Sequence, residues 1–159
     1  MAKIINLTQN QIAIIDDEDY ESLNQYKWHA QKASNGFYAV RCVYVNRKCI
    51  KLGMHRQVLP CLDNQEIDHK NRNTLDNRKS NLRIVTHAQN MKNRNKHKNN
   101  KSGIKGVYWD KRGKKWRSEI RVDGKKIHLG MFSDLMEAKT MRNNSEIKYF
   151  GEYSAISNN

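Results

Sequence analysis

Residues 92–126 carry fourteen Lys and Arg against Asp110, Glu119 and Asp123, a balance of +11 over 35 residues. That segment holds most of the chain's charge and divides a sequence that is already short of core-forming residues. Only 37% of the 159 residues are hydrophobic and 8% are aromatic, enough for several small modules but not for one large interior. Residues 1–60 are more balanced, at eight basic and five acidic residues, and contain alternating runs such as FYAVRCVYV. The only proline, Pro60, follows them, and KHKNNKSG at 96–103 is polar, basic and without apolar period. The expected division is therefore a β-rich module over 1–62, a second segment over 63–95, a linker over 96–103 and a last module over 104–159.

A net charge of +14 and a pI near 9.8 make a polyanion the expected partner, with nucleic acid foremost. No membrane is expected, because no stretch approaches 18 apolar residues and no basic helix has a broad apolar face. The first residues contain no signal-peptide core and turn acidic at Asp16, Asp17, Glu18 and Asp19, which implies the cytoplasm. Cys42, Cys49 and Cys61 are odd in number and form no CxxC, so reduced thiols are expected rather than a disulfide framework or a zinc knuckle. Two segments, NRKCIKLGM at 46–54 and DGKKIHLGM at 123–131, share five positions and both read as the second half of a hairpin.

The segment at 66–95, EIDHKNRNTLDNRKSNLRIVTHAQNMKNRN, reads as strand, loop, strand and helix. Ile67, Asp68 and His69 form the first strand; Asn71, Asn73, Asp76 and Asn77 belong to a turn-rich loop; Leu82, Ile84 and Val85 form the second. Thr86 and Gln89 then make a capping box that opens a helix over 87–95, with Asn90 in its first turn. Strict alternation sends Asp68 and His69 to opposite faces, so they share a site only at a strand end or a distortion.

The series DHKN, LDNR, NLRIVT and QN resembles the HNH nuclease motif of phage and intron-encoded homing endonucleases, whose fold is the ββα-metal finger. The openings NLTQ and YAVR with MHR are similar to the same group. The resemblance implies that His69 is the general base, that Asn81 braces the loop, and that Asp68 and Asn90 bind one divalent metal. Where relatives have glycine in the turn after the Asp-His pair, this chain has Arg72, so a left-handed backbone position is expected to be avoided or moved to Asn71 or Asn73. The residue types suit phosphodiester hydrolysis. A neutral imidazole takes a proton from water near pH 7, and a carboxylate with an amide oxygen forms a hard, underfilled site for Mg2+ or Mn2+. His87 is a second candidate ligand from the helix, and His55 reads as packing or a phosphate contact.

In the last module, strands at 104–109, 115–122 and 125–130 are separated by KRGK and DG turns, and a helix capped by Ser133 and ended by Gly151 follows. Gly106-Val107, Trp116, Glu119-Ile120-Arg121, Leu129-Gly130, Phe132 and Ala138 resemble the Apetala-two type of DNA-binding domain, with one lysine inserted in GKKW. Alternation puts Trp116, Ser118, Ile120 and Val122 towards the helix and Lys115, Arg117, Glu119 and Arg121 on the other face, joined by Lys126 and His128. Lys98, Lys101, Lys105 and Tyr108 complete the expected DNA contacts, and Trp109 and Trp116 are expected in the core.

The expectation is an α+β chain with a β-rich N-terminal module, an HNH finger, and a three-stranded sheet packed on one helix. Its expected function is that of a site-specific, homing-type DNA endonuclease acting on double-stranded DNA with one Mg2+ or Mn2+ per active site. A monomer that nicks is favoured, with no protein partner implied, in a bacterial or phage-infected cytoplasm. The alternatives are a DNA-binding regulator with an inactive finger and a structure-specific nuclease.

Overall fold

Short alternating runs in this chain close into hairpins, each too small to bury its own face. In the computed structural model, which describes residues 1–93 and 99–154, β1 (Ala2–Asn6) and β2 (Ile12–Asp16) pair antiparallel with Ile5 opposite Ala13. The acidic run that follows starts α1 (Asp17–Asn24), placing Asp17, Glu18 and Asp19 at the positive end of the helix dipole. A three-stranded antiparallel sheet of β3 (His29–Ala33), β4 (Gly36–Val45) and β5 (Lys48–Gly53) comes next, then a short α2 (Met54–Val58). The strands β6 (Glu66–His69) and β7 (Leu82–Val85) pair antiparallel, and α3 (His87–Lys92) follows them. A second antiparallel sheet, ordered β10-β9-β8, consists of β8 (Val107–Asp110), β9 (Lys115–Val122) and β10 (Lys125–Phe132). The long α4 (Leu135–Phe150) packs on it. The fold class is α+β, and contacts divide the chain into the units Met1–Asn90 and Met91–Asn159.

One core serves the whole first unit. Ile5, Ala13, Ile15, Leu23, Trp28 and Met54 close on Leu82 of β7, with Ile67 and Leu75 packed against them. A two-stranded hairpin is marginal by itself in water, and the β6–β7 pair shares this interior through Leu82 and Ile67.

One expectation about this unit changes. Cys42 and Cys49 are disulfide-bonded, with Cα atoms 5.4 Å apart. The odd cysteine count concealed a local pair: Cys49 lies opposite Tyr44 and Cys42 opposite Lys51, so the turn sets the cysteines diagonally across the hairpin. The two similar segments do both follow hairpin turns with left-handed central residues, Asn46 and Arg47 in one and Asp123 and Gly124 in the other. Their ends diverge, because Gly53 precedes α2 while Gly130 lies beside a bulge at φ 142°.

In the second unit Val107, Ser118, Ile120 and Ala138 are buried between sheet and helix. A Cβ on Gly106, at φ 77°, would lie 2.3 Å from the Glu119 carbonyl oxygen and 2.6 Å from Arg142 Nε, so only glycine lets the chain pass. Asp134, not Ser133, caps α4: its Oδ2 accepts from the amides of Met136 at 2.7 Å and Glu137 at 3.0 Å. Both residues are cap formers, and the carboxylate satisfies two amides where a hydroxyl usually takes one. Trp109 is 46% exposed rather than in the core; it meets Trp116 edge-on at 5.1 Å, opposite it across the two strands.

Candidate active site

The loop between β6 and β7 is a chain of side-chain-to-backbone hydrogen bonds, which explains its wealth of Asn and Asp. Asn71 Oδ1 accepts from the Asn73 amide at 2.8 Å, and Asn73 Oδ1 from the Leu75 amide at 3.1 Å. Asp76, 1% exposed, accepts from Asn71 Nδ2 at 2.9 Å and from Arg78 at 2.7 and 2.8 Å. Burial pushes the Asp76 carboxyl up, and the bonds from Arg78 and Asn71 overcome that and hold it below its ordinary value. Asn81 spans the loop: its Oδ1 accepts from the Asn71 amide at 3.0 Å, and its Nδ2 donates to the Asp76 carbonyl at 2.7 Å.

The N-terminal strands hold this loop from outside. Ile14 donates its amide to the Leu75 carbonyl at 2.8 Å, and the Asn77 amide donates back to Ile14 at 2.7 Å. Thr74 Oγ1 donates to the Phe37 carbonyl at 2.6 Å, and the Lys79 amide donates to Asp16 Oδ2 at 2.8 Å. Arg72 itself adopts φ 64°, so the left-handed position is neither avoided nor moved to a neighbouring Asn. Its amide bond to the His69 carbonyl, at 2.8 Å, closes the tight turn that demands this conformation.

Asp68 and His69 are both buried, and His69 is the last residue of β6, the strand-end position at which neighbouring side chains can serve one site. His69 pairs in register with Leu82 and points to the core side, where its ring lies 5.5 Å from that of His55 and 6.1 Å from that of Tyr38. Burial lowers the His69 pKa, partly offset by a hydrogen bond with Asn77 and by the charges of Asp68 and Asp76, so its imidazole is neutral at pH 7. Asp68 lies opposite Arg83, whose Nε and Nη2 donate to its Oδ2 at 2.9 and 2.6 Å.

His55 is lowered further, to about 4, by burial and then by the nearby His69 and Arg56. A base whose folded pKa is depressed stabilises the fold fully above the unfolded value near 6.5, and that stability is lost as pH falls towards 4. Thermal unfolding followed from pH 7 to pH 4 is therefore expected to show a loss of up to about 3 kcal/mol from this group. His55→Phe should flatten the profile, and an unchanged profile would show that His55 is accessible to protons in the folded state.

The expected capping box starts α3: the Thr86 amide donates to Gln89 Oε1 at 2.8 Å, and the Gln89 amide donates to Thr86 Oγ1 at 3.3 Å. Asn90 consequently sits on the side of α3 that meets Glu66, and its Nδ2 donates to Glu66 Oε2 at 2.6 Å. His87, the second candidate ligand, lies with Nδ1 2.7 Å from Glu66 Oε1 and is largely exposed. The Asn90 bond, then the His87 bond, hold the Glu66 carboxyl below its ordinary value. Glu66 and Arg83 were not singled out in the sequence. The available signal was alternation, which puts Glu66 on the Asp68 face; Arg83 meets Asp68 only through the register of β6 and β7.

Among the described residues no three His, Cys, Asp or Glu side chains gather to cage a metal. The expected donor set, the Asp68 carboxylate and the Asn90 carbonyl, is nevertheless chemically suited to Mg2+ or Mn2+, which keep several waters and bind through one or two carboxylates with substrate phosphates.

In the second unit the expected DNA-facing row is tied together through Glu119. Tyr108 donates its hydroxyl to Glu119 Oε2 at 2.8 Å, Lys126 Nζ lies 3.4 Å from Oε1, and Arg117 Nε lies 3.7 Å from Oε2. Arg121 pairs in register with Lys126, and His128 with Glu119. Lys115, Arg121, Lys126 and His128 are exposed, as is Lys101, whereas Lys105 donates to the Lys92 carbonyl at 2.9 Å. Lys98 lies outside the described residues.

Residues 59–92, which include Asp68, His69, Asn81 and Asn90, match a family described as HNH endonuclease. The chain is also 37% identical over 71 residues to Protein 3.8 of Escherichia phage T7. That alignment covers 45% of this chain and 58% of the phage protein, so the chain spans little more than half of its relative. No solved structure matches. No helix among the described residues is long and apolar enough to cross a membrane.

Proposed function

We propose that the chain is a DNA endonuclease of the HNH type that hydrolyses a phosphodiester bond with His69 as general base and one Mg2+ or Mn2+ held by Asp68 and Asn90. The observation that carries this reading is the Asn81 clamp, which fixes the turn directly after His69 from both sides of the loop. A metal bound there would supply charge neutralisation at the scissile phosphate and the departing 3′-oxygen. His69, neutral and held by the Tyr38 and His55 rings, takes the proton of the attacking water at its imidazole. Arg83 orients the Asp68 carboxylate and balances its charge.

The row on β9 and β10, with the exposed Arg121, Lys126 and His128 and the half-buried Arg117, is assigned to binding double-stranded DNA, and its likeness to the Apetala-two domain supports site recognition of the homing kind. One base and one metal per chain favour nicking by a monomer. Supercoiled plasmid incubated with and without Mg2+ tests the function: open-circular product should appear only with the metal, ahead of linear product in single-turnover conditions. Binding should weaken with salt at a log-log slope of about −5 if six phosphates are neutralised. No cleavage with any divalent metal, with DNA binding retained, would leave a DNA-binding regulator instead.

A further inference from the structure

An asparagine side chain ligates a hard cation through its carbonyl oxygen and repels it through its amide nitrogen, so a ligand asparagine needs its two ends told apart. Nothing in Asn90 alone does this, because the two ends have nearly the same shape. Glu66 supplies the distinction. Its carboxylate can only accept, and with Oε2 2.6 Å from the Asn90 side chain it binds the nitrogen end and turns the oxygen away from itself.

Glu66 is in turn well placed. It stands two residues before Asp68 on the same face of β6, and its other oxygen lies 2.7 Å from His87 Nδ1. Each carboxylate oxygen thus meets a different side chain of α3, three residues apart on one helix face, which restricts rotation of the carboxylate itself. The same contacts tie the strand bearing Asp68 to the helix bearing Asn90.

We infer that Glu66 is a positioning residue: braced by His87, it fixes the amide of Asn90 so that its oxygen is the end presented to a divalent cation. The inference rests on the nuclease reading above, in which Asn90 is a ligand. It differs from a simple attraction of cation to carboxylate, and the difference can be measured. An aspartate at position 90 has two equivalent oxygens and needs no orientation.

The test is Mn2+ binding to the full-length, DNA-free protein, by calorimetry or by the electron paramagnetic resonance of free manganese. It compares the unaltered chain, Glu66→Gln, Asn90→Asp and the double variant. Glu66→Gln should weaken Mn2+ binding tenfold or more when residue 90 is Asn, and should cause no weakening when residue 90 is Asp. Because a misfolded variant would also lose metal, the side-chain amide resonances of Asn90 provide a second reading in metal-free protein. They should move on Glu66→Gln while the backbone spectrum elsewhere is kept. Equal weakening in both backgrounds, unchanged affinity with Asn90 present, or unmoved amide resonances would each overturn the inference. An unaltered chain that cuts DNA while Glu66→Gln keeps full Mn2+ affinity would overturn the inference alone, whereas a chain that neither binds Mn2+ nor cuts would overturn the nuclease reading as well.

Discussion

His69→Ala is expected to leave DNA binding within about twofold of the unaltered chain and to reduce the single-turnover cleavage rate by about 10²–10⁴, the usual contribution of a positioned general base. The two effects separate because affinity comes from phosphate contacts made by exposed cations, while the His69 ring is 5% exposed and packed against His55 and Tyr38. His69→Gln, which retains bulk and polarity but takes up no proton near neutral pH, should be as inactive as alanine. Binding measured without divalent metal, beside cleavage with Mg2+, gives both numbers. Parallel losses in binding and cutting would place His69 in the interface and remove it as the base.

The part of the site legible in the sequence is the part written locally. Asp68 and His69 are neighbours at the end of a four-residue strand, and Thr86 and Gln89 form a box of four residues. The contacts that escaped join distant segments. Glu66 reaches His87 and Asn90 across 21 and 24 positions, and Thr74 reaches Phe37 across 37. The service of the N-terminal strands to the loop is harder still to read, since the Ile14 bonds to Leu75 and Asn77 use backbone atoms that every residue possesses. Arg72 shows the opposite limit: the sequence located the left-handed turn but implied that arginine would avoid it, whereas the turn's own hydrogen bond together with the network bracing the loop offsets a local cost of about 1–2 kcal/mol. The cap of α4 was read one residue early, at Ser133, because Ser133 and Asp134 are both cap-forming types and only the hydrogen bonds to Met136 and Glu137 tell them apart.

Glu146→Ala is expected to destabilise the second unit by about 3–5 kcal/mol, enough to unfold a small domain of ordinary stability. Arg142 and Glu146 lie one turn apart on α4, each only 3% exposed, with Nη1 2.6 Å from Oε2. Burial lowers the Arg142 pKa, and the charge and hydrogen bond of Glu146 oppose that, so the carboxylate offsets part of the cost of holding a guanidinium that stays charged beneath the sheet. Removing it leaves that charge buried without the carboxylate, at a side chain only 3% exposed. The pair is nevertheless not intrinsically stabilising, since two ions leave water to form it. The double variant Arg142→Met, Glu146→Leu should therefore recover most of the loss and could exceed the unaltered chain, as apolar replacements of buried ion pairs do. Denaturant unfolding of the full chain in a Trp28→Phe background, so that Trp109 and Trp116 fluorescence reports on this unit, measures both. A Glu146→Ala variant that loses less than about 1 kcal/mol would mean that water reaches Arg142, and the sheet would then rest on Ile120, Val107 and Ala138 without help from the charged pair.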